Sequence, residues 1–247
     1  MNYSILVPTR KRPERLSDLI ASIVNTIEDK NNTEIIITYD EDDIYTMSHI
    51  DIIKQRFADR IKLDWNKKTR SYNISNDYFN WMAFNRATGK YLIAINDDTR
   101  FMIGSWDIMS FRVLEDFLKD KPDRIVYGIT DDREIERKRH HNYWFSCFPL
   151  ISIEAIKTLG FFFDPAFAKD GADWDIMACY QEIGRIVDLR PYLAIEHISV
   201  RSGRRDKDAL DHDYLGAPPN PDTGYRRIQN AQILTTKILG CLPINSA

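Results

Sequence analysis

Along the first hundred residues the apolar positions alternate between two periods. Tyr3–Val7 is a short β-rich run closed by Pro8, whereas Glu14–Ile27 places Leu16, Leu19, Ile20, Ile23, Val24 and Ile27 at helical spacing. Glu34–Tyr39 is continuous enough in β-branched residues to form a strand buried on both faces. Ile44–Phe57 predicts a helix, Ile61–Trp65 a third strand, Asp77–Ala87 a helix ending near Gly89, and Tyr91–Ile95 a fourth strand. Strands alternating with helices build right-handed βαβ units, so the expected class is α/β with a parallel sheet.

The second half is less regular. Trp106–Leu118 reads as a helix, Arg124–Ile129 as a strand, Tyr143–Ile153 as a longer mixed segment, Asp173–Ile183 as a helix and Tyr192–Ile198 as a late strand. Residues 199–225 combine many charges with Pro218, Pro219 and Pro221, which predicts a mobile loop. Ile228–Leu242 is expected to close the chain as an amphipathic helix packed through Ile233, Leu234, Ile238 and Leu242. We find no internal repeat, and 247 residues that are 43% hydrophobic suffice for one sizeable core. A single domain over 1–247 is therefore expected.

Composition narrows the function classes. The net charge of −3 supplies no basic field, so a nucleic-acid partner is not expected. Cys147, Cys179 and Cys241 lie far apart without a CxxC pair, which argues against disulfides and thiolate zinc and favours a reducing, cytoplasmic setting. The amino terminus reads as a strand instead of a signal peptide, and no apolar run is long enough to span a bilayer; peripheral membrane contact stays open.

In parallel α/β sheets, ligands sit outside the carboxyl ends of the strands. Three of those ends are informative here: Pro8-Thr9-Arg10, Asp40-Glu41-Asp42-Asp43 and Asn96-Asp97-Asp98-Thr99. Two acidic clusters on one sheet edge repel unless a cation or donor groups offset them, and carboxylate oxygens suit a hard divalent ion. Helix capping is an equal explanation for Asp40–Asp43. Neither GxGxxG nor GxxxxGK[ST] occurs, so any bound phosphates must be neutralised by a metal or by Lys and Arg.

The segment from Ser4 to Leu16 resembles the opening of GT-A-fold glycosyltransferases, particularly family 2. Ala87–Thr99 is similar to the stretch leading into that family's DxD motif. Gly171-Ala-Asp-Trp-Asp175 resembles the later acidic motif that supplies a base, and His197 falls where many such enzymes place a third metal ligand. These matches run in order over about residues 3–198. The resemblance implies a GT-A, Rossmann-like fold with a mainly parallel central sheet and a less regular acceptor-side half. Residues 1–100 would bind the nucleotide sugar, 101–200 the acceptor, and 201–247 would form a mobile loop and helix.

Carried over, the resemblance implies that Thr9 and Arg10 line the nucleotide pocket and that Asp40 or Asp42 accepts a hydrogen bond from the base. Asn80 would contact the donor, Asp97 the ribose or sugar, and Asp98 with His197 a Mn2+ or Mg2+ ion. Asp173 would deprotonate the acceptor hydroxyl. The implied reaction moves a sugar from a nucleoside-diphosphate sugar, UDP-linked by expectation, to a glycan or other hydroxyl acceptor with inversion. Two departures stand out: Asn96 replaces the first acid of the DxD motif, and Ala172 precedes Asp173 where an acid is common. Asp175 thus competes with Asp173 as base. A sugar nucleotidyltransferase and a non-catalytic nucleotide- or sugar-binding module are the alternatives. The charged run Asp131–His141 reads as a solvated loop, Arg201, Arg204 and Arg205 as solvated or reaching the phosphates, and Trp144, Phe145 and Phe148 as core.

Overall fold

Residue alternation along the central strands decides which side chains meet which helices. The structure, a computed structural model, describes residues 1–133, 146–168, 171–198 and 223–240. Strands β1 (Tyr3–Thr9), β2 (Thr33–Asp40), β3 (Lys62–Lys68), β4 (Tyr91–Ala94), β6 (Tyr127–Ile129), β7 (Leu150–Ser152) and β8 (Ile186–Asp188) form one sheet. Its order is β3-β2-β1-β4-β7-β6-β8. Only β7 runs against its neighbours; β4 and β6, both antiparallel to it, share the direction of β1, β2 and β3. A separate two-stranded antiparallel sheet joins β5 (Thr99–Phe101) to β9 (Ile195–His197).

Ile5, Val7, Ile35 and Ile37 face one side, against α1 (Pro13–Thr26), α2 (Ile44–Phe57) and α4 (Trp106–Leu118). Leu6, Ile36 and Leu92 face the other, against α3 (Trp81–Asn85), α5 (Ile153–Leu159), α6 (Ala172–Glu182) and α7 (Thr223–Gly240). Two-residue periodicity thus builds two apolar layers on one sheet. Local signals set the ends: Pro13 opens α1, Asp43 caps α2 by accepting the Thr46 N–H at 3.0 Å, and Gly160 at φ 83° stops α5.

Several expectations need correction. The helix expected over Asp77–Ala87 opens as a π-helix, Ser75–Asn80, before continuing as α3. Arg124, at φ 58°, forms a turn with Asp123, so β6 begins only at Tyr127. The mixed segment ending at Ile153 yields β7 and then α5, a helix too short to show a clear period in the sequence. Ile233 is 45% exposed, while Ala231, Leu234 and Ile238 carry the packing of α7. Phe148 is in the core as expected. His140, His141, Trp144, Phe145, Leu242 and the 199–222 part of the expected loop lie outside the described residues. Among the described residues no helix is long and apolar enough to cross a membrane.

Candidate active site

The chain runs from β1 outward through β2 to β3 and then returns to place β4 on the other side of β1. Strand order reverses at that point, which is where parallel α/β sheets place their ligands. Thr9, ending β1, donates its hydroxyl hydrogen to Asp97 Oδ2 at 2.8 Å, and Arg12 Nη1 lies 3.4 Å from Asp97 Oδ1. Burial pushes the Asp97 carboxyl up to about 6; Arg12 and Thr9 pull against that rise and the neighbouring Asp98 adds to it.

Asp98 faces a residue a hundred positions away. The β5–β9 register sets Thr99 opposite His197, and the Ile198 N–H donates to the Asp98 carbonyl at 2.9 Å. His197 Nε2 consequently lies 3.5 Å from Asp98 Oδ1, with both side chains largely buried. Phe148 packs edge-on against the His197 ring at 5.3 Å. Asp131 and Asp132, at the end of β6, are also buried there: the His197 N–H donates to the Asp132 carbonyl at 3.2 Å and the Ile195 N–H to the Asp131 carbonyl at 2.7 Å. The start of the expected solvated run is therefore part of the site wall. No local signal separates Asp131 and Asp132 from the charges that follow; only their place after a buried strand does.

The carboxylates of β2 are offset from within the protein. Lys11 takes a left-handed φ of 54° and donates its N–H to Asp43 Oδ2 at 2.7 Å, so Asp43 serves both this loop and the α2 cap. On either side of Lys11, Arg12 reaches Asp97 while Arg10 reaches Asp40 at 2.6 Å and Asp42 at 2.9 Å. Tyr78 donates its hydroxyl to the other oxygen of Asp40. The repulsion that suggested a metal for both clusters is thus met at Asp40, Asp42 and Asp97 by arginines and at Asp43 by the Lys11 N–H. Asp42 is 53% exposed on its side chain, against 4% for Asp40, which leaves Asp42 the more accessible to a ligand.

Asn80, for which the resemblance implies a donor contact, is buried and bonded to the backbone of residues 162–163. Its carbonyl oxygen accepts the Phe162 and Phe163 N–H groups at 2.8 and 3.0 Å, and its amide donates to the Phe163 carbonyl at 2.8 Å. It holds the segment before α6 in place.

The two acids of α6 separate cleanly. Asp173 is half-buried in the first turn, accepts the Trp174 N–H at 2.8 Å and acts electrostatically on the β6 residue Tyr127. Asp175 is 1% exposed and lies among Asp164, Arg226 and Arg227, on the side that docks α7. Burial, then Asp164, pushes its carboxyl up to about 6. Among the described residues no three His, Cys, Asp or Glu side chains form a metal-binding group, so Asp98 and His197 stand as a pair.

No protein-family profile and no curated protein sequence matches this chain. Solved structures do. TarS of S. aureus, in complex with UDP-GlcNAc, superposes with a TM-score of 0.62 at 12% identity, covering 94% of this chain and 66% of that one. The mannosyltransferase PcManGT of Pyrobaculum calidifontis, in complex with GDP-Man and Mn2+, gives 0.59 at 11% identity over 100% and 76%. GalNAc-T7 with UDP, GalNAc and Mn2+ gives 0.58 at 12% identity over 95% and 54%. This chain has the GT-A fold. In the UDP complex of TarS it spans 60% of the length of the chain it matches. The parallel sheet with one reversed strand and the short β5–β9 ribbon are accordingly its version of the GT-A architecture.

Proposed function

We propose that this protein is a glycosyltransferase that moves a sugar from a nucleoside-diphosphate donor, UDP-linked in the first instance, to a hydroxyl acceptor with the help of a divalent ion. The observation that carries the reading is the β5–β9 ribbon, which brings His197 to Asp98 beside the Thr9–Asp97 contact at the strand-order reversal. TarS, PcManGT and GalNAc-T7, which share the fold, are recorded with UDP-GlcNAc, GDP-Man or UDP, and the last two with Mn2+.

A carboxylate oxygen suits Mn2+ or Mg2+, and the imidazole nitrogen beside it favours Mn2+, the less hard of the two. Asp98 and His197 would be the side chains that hold such an ion. When bound, it supplies neutralisation of the charge on the departing diphosphate. The remaining work belongs to side chains. Asp42, backed by Arg10, would accept a hydrogen bond from the base; Thr9 and Arg12 hold Asp97 to meet the ribose or sugar hydroxyls. Asp173, with one oxygen fixed by the Trp174 N–H, would take the acceptor hydroxyl's proton as the oxygen attacks. Direct displacement with one base inverts the anomeric carbon.

A thermal-shift panel of UDP- and GDP-sugars, with and without Mn2+, followed by assay of released nucleotide, tests this. A sugar nucleotide that raises the melting temperature only with metal, and is then slowly hydrolysed, is expected. A panel in which no sugar nucleotide shifts the transition removes the proposal.

A further inference from the structure

A cavity of about 290 Å³ lies between the 76–85 helical segment and the loop that follows α5, lined by none of Thr9, Arg12, Asp97, Asp98 or His197. That volume is near the lower end of the roughly 300–1,000 Å³ of small-ligand sites. Its walls combine aromatic rings, side-chain amides and two charged groups, Lys68 and Asp77. Trp81, Phe84 and Phe161 present aromatic surface, and Phe84 is 47% exposed despite its apolar ring. Asn76 and Asn85 supply amides; the Asn85 nitrogen donates to the Trp81 carbonyl at 2.8 Å, which leaves its own carbonyl as an acceptor. Lys68, ending β3, holds its ammonium 4.2 Å from the centre of the Trp81 ring.

The lysine is the informative member. Among the described residues no carboxylate lies within ion-pair distance of it, and burial lowers its pKa more than Asp77 raises it. Asp77 is engaged by the Ser71 hydroxyl and the Asn76 amide. A partly buried ammonium with no ion pair among the described residues gains from an incoming anion. The π-helical turn Ser75–Asn80, a form that recurs at functional sites, widens the helix where Asn76 and Asn80 line the cavity.

We propose that this cavity binds a saccharide bearing a carboxylate, with the ring against the aromatic side chains, hydroxyls on the Asn76 and Asn85 amides, and the carboxylate on Lys68. That the saccharide belongs to the acceptor rests on the transferase reading above; the binding itself does not.

Isothermal titration of the intact protein with trigalacturonate and with neutral chitotriose tests the site. Trigalacturonate is expected to bind, roughly tenfold more weakly in Lys68→Gln. Binding should also weaken in Phe84→Ala, a substitution at an exposed position that leaves the melting temperature unchanged. Saturating UDP with Mn2+ should leave the titration unaltered. No heat at millimolar trigalacturonate, equal binding of chitotriose, insensitivity to both substitutions, or displacement by UDP with Mn2+ would each overturn the proposal. Nucleotide binding that persists while trigalacturonate fails would remove this site and spare the transferase reading.

Discussion

Asp173 and Asp175 stand two positions apart in the first turn of α6, and the helix sends them to different surroundings: one half-buried near β6, the other sealed among the charges that dock α7. Asp173→Asn is expected to keep nucleotide binding and lose about 10²–10⁴-fold in turnover, the usual worth of a positioned base. Asp98→Ala should instead lose Mn2+ and nucleotide binding together; calorimetry that finds both unimpaired removes the metal assignment. Asp175 makes a pH prediction. Its folded pKa is raised from 3.8 to about 6, so the protonated form is favoured in the native state. That contribution is present below about pH 4 and is lost as pH rises toward 6. One of its oxygens is buried without a hydrogen-bond partner among the described residues. Asp175→Asn should therefore be more stable than the parent protein at pH 7, with the difference vanishing near pH 4. Melts across pH 4–8 that show no convergence would contradict this.

At the scale of elements, the site depends on how closely β4 and α7 are seated. A Cβ at Gly89, just before β4, would lie 2.6 Å from the Ser4 backbone nitrogen and 2.7 Å from the Tyr3 carbonyl carbon. Backbone gives way less easily than a side-chain tip, so Gly89→Ala should cost about 1–3 kcal/mol in denaturant unfolding, the range for overpacking. Leu234 is fully buried at the centre of the α7 contact. Leu234→Ala should destabilise by about 2–5 kcal/mol if α7 is an integral part of the core. A change below about 0.5 kcal/mol, typical of surface positions, would mean α7 is not docked in solution.

At the scale of the molecule, the proposed metal site at Asp98 and His197 and the proposed nucleotide pocket share the strand-order reversal, so the transferase reading requires them to be thermodynamically coupled. Affinity for Mn2+ should then rise when UDP is present, and by linkage the reverse. Calorimetric titration of Mn2+ with and without saturating UDP checks this; equal affinities would place the metal elsewhere.

The sequence carried the alternation of strand and helix, the strand ends at Thr9, Asp40 and Asp97–Asp98, and the acidic turn at Asp173, because hydrophobic period and turn residues are local signals. Three-residue strands such as β5, β8 and β9 are too short to show a period, so the ribbon that pairs Thr99 with His197 is not legible locally. The same holds for the reversal of β7 and the burial of Asp131 and Asp132. Tertiary contact also separated like from like: Arg10 and Arg12 diverge to different carboxylates, Asn80 is committed to the backbone of 162–163, and Asp175 belongs to the α7 dock. Residue type and spacing fix which chemistry a chain carries. Which of those groups meet, and which are consumed holding the fold, depends on long-range pairing and burial.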